Sequence, residues 1–223
     1  MATAATQIIC VFNSKGGVGK TLFSMLLAGE LAARELRVTV IDMDTQGDSL
    51  AWASNAPDTK PFPAKVISLA PLKANFAKVL PQHAEGYDVA IIDCPPSDES
   101  SVPFAALVMA NLAIIPMQPT PQEQDSILRA QTVVEQAQER NPSLKVAVAF
   151  NRYDRRKSVQ NIMVDKVEAA LGSRVLKAKL GERTAFQEVM LYGGTIRDLT
   201  KQDIAVNEVS ELTTEIIKTL KRK

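Results

Sequence analysis

The chain has 223 residues, 46% of them hydrophobic, with 26 Lys/Arg against 25 Asp/Glu for a formal net charge of +1. That length fits one domain with a sizeable core of its own, and nothing in it reads as a repeat or as low complexity. No apolar run approaches the ~20 residues of a membrane-spanning helix, and the opening MATAAT has neither the basic nor the apolar region of a secretory signal, so a cytoplasmic protein is expected.

Residues 7–13 (QIICVFN) form the first predicted strand. The run is almost continuously apolar and rich in Ile and Val, the pattern of a strand buried on both faces of a parallel sheet. A helix is predicted over 21–36, then a strand over 38–42 (VTVID) and a Pro-rich surface loop over 55–64. Strands follow at 89–93 (VAIID) and 112–116 (LAIIP). Residues 123–140 carry Ile127, Ala130, Val133, Val134 and Ala137 at helical spacing. A strand at 145–150 (KVAVAF), a helix at 159–171, a weaker strand at 175–180 (VLKAKL) and a helix at 184–191 come next. The last element, 204–220, has an apolar stripe of Val206, Val209, Leu212, Ile216, Ile217 and Leu220, the signature of a helix packed on a sheet. This alternation predicts a single doubly wound α/β domain over 1–223, its central sheet mostly parallel and flanked by helices. Cys10 and Cys94 fall in strand-like runs and are expected as reduced core thiols. His83 and Trp52 receive no functional role.

Between the first strand and the first helix stands Phe12-Asn13-Ser14-Lys15-Gly16-Gly17-Val18-Gly19-Lys20-Thr21, the strand–loop–helix setting of a phosphate-binding loop. Glycine lets the backbone turn its N–H groups toward a ligand without Cβ obstruction. Those groups and the helix N-terminus cradle phosphate oxygens. Lys20 can reach the β/γ-phosphates and the Thr21 hydroxyl can ligate Mg²⁺, which makes ATP and Mg²⁺ the expected cofactors of a P-loop NTPase. The expected ATP-binding stretch is Lys15, Gly16, Gly17, Val18, Gly19, Lys20, Thr21 and Leu22. The loop departs from the common G-x-x-x-x-G-K-[ST] pattern: Ser14 stands where the first glycine falls, and a second lysine, Lys15, precedes Gly16-Gly17. Two acidic segments accompany it. Asp42 and Asp44 leave the second strand at i, i+2, where both can face a cleft at its C-terminal edge. Ile91-Ile92-Asp93-Cys94-Pro95-Pro96 is an apolar strand ending in aspartate and stopped by Pro-Pro.

These motifs resemble the ParA/MinD superfamily of P-loop ATPases, whose deviant Walker A loop reads K-G-G-x-G-K-T, and the resemblance covers roughly residues 6–220. In that family the extra lysine crosses a sandwich dimer to the phosphates of the partner. The resemblance therefore implies that Lys15 makes ATP binding and dimerisation one event, and that Lys15, Lys20 and Asp44 are the catalytic residues. Asp42-Met43-Asp44-Thr45-Gln46-Gly47 is similar to the family's D-x-D-P-Q-G, with Thr45 in place of proline. It implies that Asp44 positions the attacking water and that Asp42 holds a water on Mg²⁺. The segment ending in Asp93 resembles the Walker B strand, placing Asp93 in the Mg²⁺ water shell and Thr21 on the metal directly. Phe150-Asn151-Arg152-Tyr153-Asp154 matches the place where the family recognises adenine, which implies a base contact for Asn151.

For function, the resemblance implies ParA-type positioning. An ATP-dependent homodimer binds DNA non-specifically, segregates or positions a plasmid, chromosome or protein assembly, and hydrolyses ATP when a cargo-bound ParB-like activator stimulates it. With only about a dozen residues ahead of the loop, the chain is similar to the small plasmid-type members that lack a DNA-reading extension. Charge supports a polyanion partner: residues 1–144 hold 10 Lys/Arg against 15 Asp/Glu, and residues 145–223 hold 16 against 10. The basic residues cluster as Arg152, Arg155, Arg156 and Lys157, then Lys177, Lys179 and Arg183, then Lys218, Lys221, Arg222 and Lys223. With no recognition helix and no aromatic platform, the expectation is phosphate contact without sequence preference and a nucleoid-associated protein. Two alternatives stand beside it. A MinD-like membrane ATPase would want aromatic residues on the apolar face of 204–220, which has none. A metabolic P-loop synthetase would leave Lys15 without an evident job.

Overall fold

The computed structural model describes residues 5–96, 101–199 and 204–221. Its strands are β1 (Gln7–Val11), β2 (Val38–Asp42), β3 (Lys65–Ser68), β4 (Val89–Asp93), β5 (Leu112–Met117) and β6 (Lys145–Phe150). They pair in parallel throughout, in the order β3-β2-β4-β1-β5-β6. The helices are α1 (Lys20–Ala33), α2 (Asp48–Asn55), α3 (Leu80–Ala84), α4 (Val102–Met109), α5 (Gln124–Arg140), α6 (Ser158–Leu171), α7 (Thr184–Tyr192), α8 (Ile196–Leu199) and α9 (Ile204–Lys221). Parallel pairing requires crossovers, and crossovers put helices on both faces. That is why β2, β4 and β5 are buried at every residue and read as unbroken apolar runs.

Side chains alternate between two cores. Ile9, Val11, Val40, Ile91 and Ile114 face one side, packed with Phe23, Leu27 and Leu31 of α1 and with Val206, Val209, Leu212 and Ile216 of α9. Cys10, Phe12, Ile41, Ile92 and Ile115 face the other, with Leu107 of α4, Val134 of α5 and Val164 of α6. The α9 stripe is spent on this packing, as the sequence predicts.

Several elements depart from expectation. The first helix stops at Ala33, because Glu35 turns left-handed (φ 65°) and the Leu36 N–H returns to the Leu31 carbonyl. Residues 175–180 form no strand. Leu176 N–H bonds the Val148 carbonyl and Leu180 N–H the Phe150 carbonyl, so four residues of the segment span two of β6. Between them the Ala178 N–H is taken by the Glu215 carboxylate, and the ladder reduces to isolated bridges. The edge strand β3 and the helix α2 carry no clear signal in the sequence. β3 is a four-residue run only partly buried, and α2 buries only Ser49 and Trp52.

The site follows from register. Asp42 and Asp93 are direct neighbours across β2 and β4, and Asp93 stands beside Val11, the last residue of β1. The chain thus leaves β1, β2 and β4 at one edge of the sheet, with the loop of residues 13–19 over two acidic strand ends.

Candidate nucleotide-binding site

The loop between β1 and α1 is held from below by side chains of later elements. Asn13 donates through Nδ2 to the Pro116 carbonyl at 2.7 Å, and its Oδ1 accepts the Lys15 N–H at 3.1 Å. Gln118 donates to the Gly17 carbonyl at 3.3 Å, and Asn151 donates to the Val18 carbonyl at 3.1 Å. Gly17 and Gly19 take positive φ, 72° and 100°. At Gly19 the need for glycine is double, since a Cβ there would overlap the Asn151 amide. Asn151, expected as a base contact, is buried beneath the loop with its amide on Val18 and its Oδ1 on the Arg152 N–H. Its place in the structure is that of a brace.

Lys20 is buried, and its Nζ donates to the Lys15 carbonyl at 3.0 Å across the loop. Leu22, the last residue of the stretch, turns its side chain into the core. Lys15 lies outward: its side chain is 41% exposed, and its Nζ bonds Glu123 Oε1 at 2.6 Å. Glu123 is buried, and its second oxygen accepts from the Ser126 hydroxyl at 2.9 Å. Ser14 in turn donates to the Ser126 carbonyl at 3.3 Å.

Asp93 is closed off from solvent and receives three hydroxyls. Thr21 Oγ1 (2.8 Å) and Ser49 Oγ (2.7 Å) bond Oδ2, and Ser24 Oγ (3.1 Å) bonds Oδ1. Burial pushes its pKa up to about 6; the Asp42 charge adds to the rise and the three hydroxyls oppose it. Asp42 is buried too, and burial raises its pKa. Its oxygens accept the Asp44 N–H at 3.0 Å and the Leu50 N–H at 3.1 Å, which ties the loop and the first turn of α2 to the strand end. Asp44 is partly exposed and accepts the Gln46 N–H at 3.0 Å. Two buried carboxylates side by side, one bonded by the hydroxyl of the loop threonine, suit a hard cation that keeps most of its own waters. Such a site needs no cluster of three acidic or imidazole ligands, and the described residues contain none.

Residues 9–196 match the CobQ/CobB/MinD/ParA nucleotide binding domain family. The chain belongs to that family. A relative of similar length is maintenance of carboxysome distribution protein A from Halothiobacillus neapolitanus, 26% identical over 218 residues that cover 97% of this chain and 99% of that one. Protein ParA of Rhizobium radiobacter is 26% identical over 199 residues, with 86% of each chain covered. Two solved structures of similar fold are an ATP complex of a Cyanothece McdA variant (TM-score 0.78, 16% identity, 97% and 98% coverage) and cobyrinic acid a,c-diamide synthase from Mycobacterium smegmatis with ADP and magnesium (TM-score 0.71, 21% identity, 85% and 91% coverage).

The basic clusters come out differently from one another. The bridge between Tyr153 and Gly181 brings the first two together. Within them Arg156 pairs with Asp154 (2.9 Å), Lys157 with Glu182 (2.9 Å), Lys179 with Glu168 (3.2 Å) and Arg183 with Glu208 (2.6 Å). Arg152, Arg155 and Lys177 are exposed. The third cluster is remote from the loop, since Lys145 at the opposite end of β6 bonds the Leu220 carbonyl; Arg222 and Lys223 lie outside the described residues. Sequence reasoning missed Ser24, Ser49 and Glu123. Ser24 lies three residues beyond Thr21, one helical turn away, and that spacing could have found it. Ser49 and Glu123 meet partners 44 and 108 residues away, contacts that no local pattern encodes.

Proposed function

We propose that the chain is an ATP-switched positioning ATPase of the ParA/MinD type. ATP with Mg²⁺ binds at the loop, two subunits close over the nucleotides with each Lys15 reaching the other's phosphates, and hydrolysis removes the bridge. The observation that carries this reading is Lys15. Lys20 already lies under its own loop, while Lys15 stands half-exposed at the lip on a buried carboxylate. The full-length likeness to a carboxysome distribution protein and the likeness to ParA support it, and so does the cleft face. Leu50, Leu128, Val159 and Ile162 are large apolar residues left exposed there, each in the opening turns of a helix that follows β2, β5 or β6. Exposed apolar groups gathered around a cleft favour burial by a second subunit.

Thr21 would ligate Mg²⁺ directly, with Asp42 and Asp93 on its water shell, and the metal would supply charge neutralisation at the β- and γ-phosphates. Asp44, at the mouth of the cleft, would position the attacking water. The cargo is a plasmid, a chromosome or a protein assembly, and a ParB-like protein bound to it is the proposed activator. DNA is the proposed track, met without sequence preference through Arg152, Arg155 and Lys177 and through the cations beside them. That gives a cytoplasmic protein gathered on the nucleoid. A membrane-anchored reading is less well supported, because α9 buries its apolar stripe and no helix among the described residues is long and apolar enough to cross a membrane.

Sizing chromatography with a non-hydrolysable ATP analogue tests the core of this. Wild type should elute as a dimer, Lys15→Ala should bind nucleotide yet stay monomeric, and Lys20→Ala should not bind. A wild type that remains monomeric with nucleotide bound would sink the reading. Duplex binding should require ATP, fall steeply with salt, and weaken on combined Arg155→Glu and Lys177→Glu substitution. Unchanged binding in that variant would move the DNA surface elsewhere.

A further inference from the structure

We propose that Ser49 is a positioning residue for the magnesium site, holding Asp93 from α2 so that this carboxylate presents a single free acceptor to the metal's water shell. The inference rests on the Mg²⁺–ATP reading above and goes beyond it in naming a residue of α2 as part of the metal's support.

The geometry is specific. Ser49 is fully buried, and a buried hydroxyl must find a partner. At the second position of α2 it makes no capping bond: the N-cap is Gly47, without a side-chain cap. Its hydroxyl is instead donated to Asp93 Oδ2 at 2.7 Å, the shortest of the three hydroxyl contacts that carboxylate receives. The next residue, Leu50, donates its backbone N–H to the Asp42 carboxylate at 3.1 Å. The first turn of α2 therefore touches both acidic groups, through the Leu50 backbone on one and the Ser49 side chain on the other.

A carboxylate offers about four lone-pair positions. Thr21, Ser24 and Ser49 occupy three, which leaves about one for a water on the metal. Thr21 and Ser24 both come from α1 and hold Asp93 from one side. Ser49 holds it from α2, the helix that follows the loop carrying Asp44. Without Ser49 the carboxylate is fixed from α1 alone, a second acceptor position opens, and the Asp44 loop loses its side-chain link to Asp93. Partners of a metal's direct ligands typically cost about 10–100-fold in metal affinity when removed, and Ser49, which acts through Asp93 and a water, belongs at the lower end of that range.

The test titrates Mg²⁺ against binding of a fluorescent ADP analogue to the full chain. Ser49→Ala should raise the Mg²⁺ concentration at half-effect by up to about tenfold. Its affinity for the analogue in EDTA should match wild type, and Ser49→Thr, which keeps the hydroxyl, should recover most of the Mg²⁺ dependence. Thermal melts establish that each variant is folded. Equal Mg²⁺ dependence in Ser49→Ala and wild type overturns the proposal. So does loss of binding in EDTA, which would assign Ser49 to the loop or the fold. A wild type indifferent to Mg²⁺ overturns the magnesium reading itself, a different outcome from either.

Discussion

A carboxylate sealed at the end of a strand costs free energy for as long as it stays charged. Burial, with a smaller share from Asp42, lifts Asp93 to about 6. The folded value lies above the unfolded one, so between about pH 4 and 6 the native state binds the proton more tightly than the unfolded chain does. Stability of the nucleotide-free protein contributed by this group therefore falls as pH rises through that window, and the penalty is complete above it. Asp93→Asn removes the charge. At pH 7.5 and without nucleotide the variant is expected to be the more stable protein, by roughly 2–3 kcal/mol, with the two converging below about pH 4. Thermal melts across that range check it, and parallel pH profiles for the two proteins would contradict it. The same residue that weakens the empty protein is the one proposed to serve the loaded one.

At the scale of elements, α1 is anchored at both ends. Its first turn carries the phosphate loop, and in its third turn Glu30, buried, accepts from Arg197 of α8 at 2.8 and 2.9 Å and from Arg34 at 3.2 Å. Arg34 continues to the Ser210 carbonyl of α9 at 2.7 Å. Burial alone would raise the Glu30 carboxyl, and the bonds from Arg197 and Arg34 outweigh it, leaving the pKa below its ordinary value. Arg197→Ala should destabilise the protein by roughly 2 kcal/mol at neutral pH, because it strips a buried carboxylate of a bidentate partner. The loss should shrink in acid as Glu30 protonates. Urea unfolding at pH 7 and pH 4 measures both, and a pH-independent loss would place the effect in packing instead. Only the Glu30–Arg34 pair of this network, at i, i+4 on one helix, is legible in the sequence; Glu30 and Arg197 are 167 residues apart. What is legible is whatever repeats locally. β2, β4, β5 and β6 announce themselves by near-continuous apolar runs, α5 and α9 by helical spacing, and the loop by its glycines. β3 escapes notice because a four-residue edge strand buries little, and residues 175–180 mislead because Glu215, from α9, takes the Ala178 N–H. The site divides the same way: Lys15, Lys20, Thr21, Asp42, Asp44 and Asp93 stand in motifs, while Ser49 and Glu123 are visible only once the chain has folded.

On the scale of the whole molecule, the strand that opens the nucleotide loop is the central one. β1 is flanked by β4 and β5, so Gln7 pairs with Val89 and Ile9 with Leu112. The loop's braces come from still later, Gln118 and Asn151 among them. Local in sequence, the loop is non-local in everything that supports it, and folds dominated by such distant parallel pairings form slowly. In refolding, binding of a fluorescent nucleotide should develop in the same phase as burial of the single tryptophan, Trp52, which packs against the Gly194 carbonyl from α2. An earlier nucleotide signal would mean that the loop forms alone. The ribosome meets the same constraint as a delay. At about 5–20 residues per second, roughly 5–20 s pass between synthesis of Thr21 and of Met117, the last residue of β5. For most of that interval the glycine-rich segment has neither β4 nor β5 to lie between, and to its end it lacks β5. Nucleotide occupancy is therefore expected to begin only when the sheet has closed on both sides of its first strand.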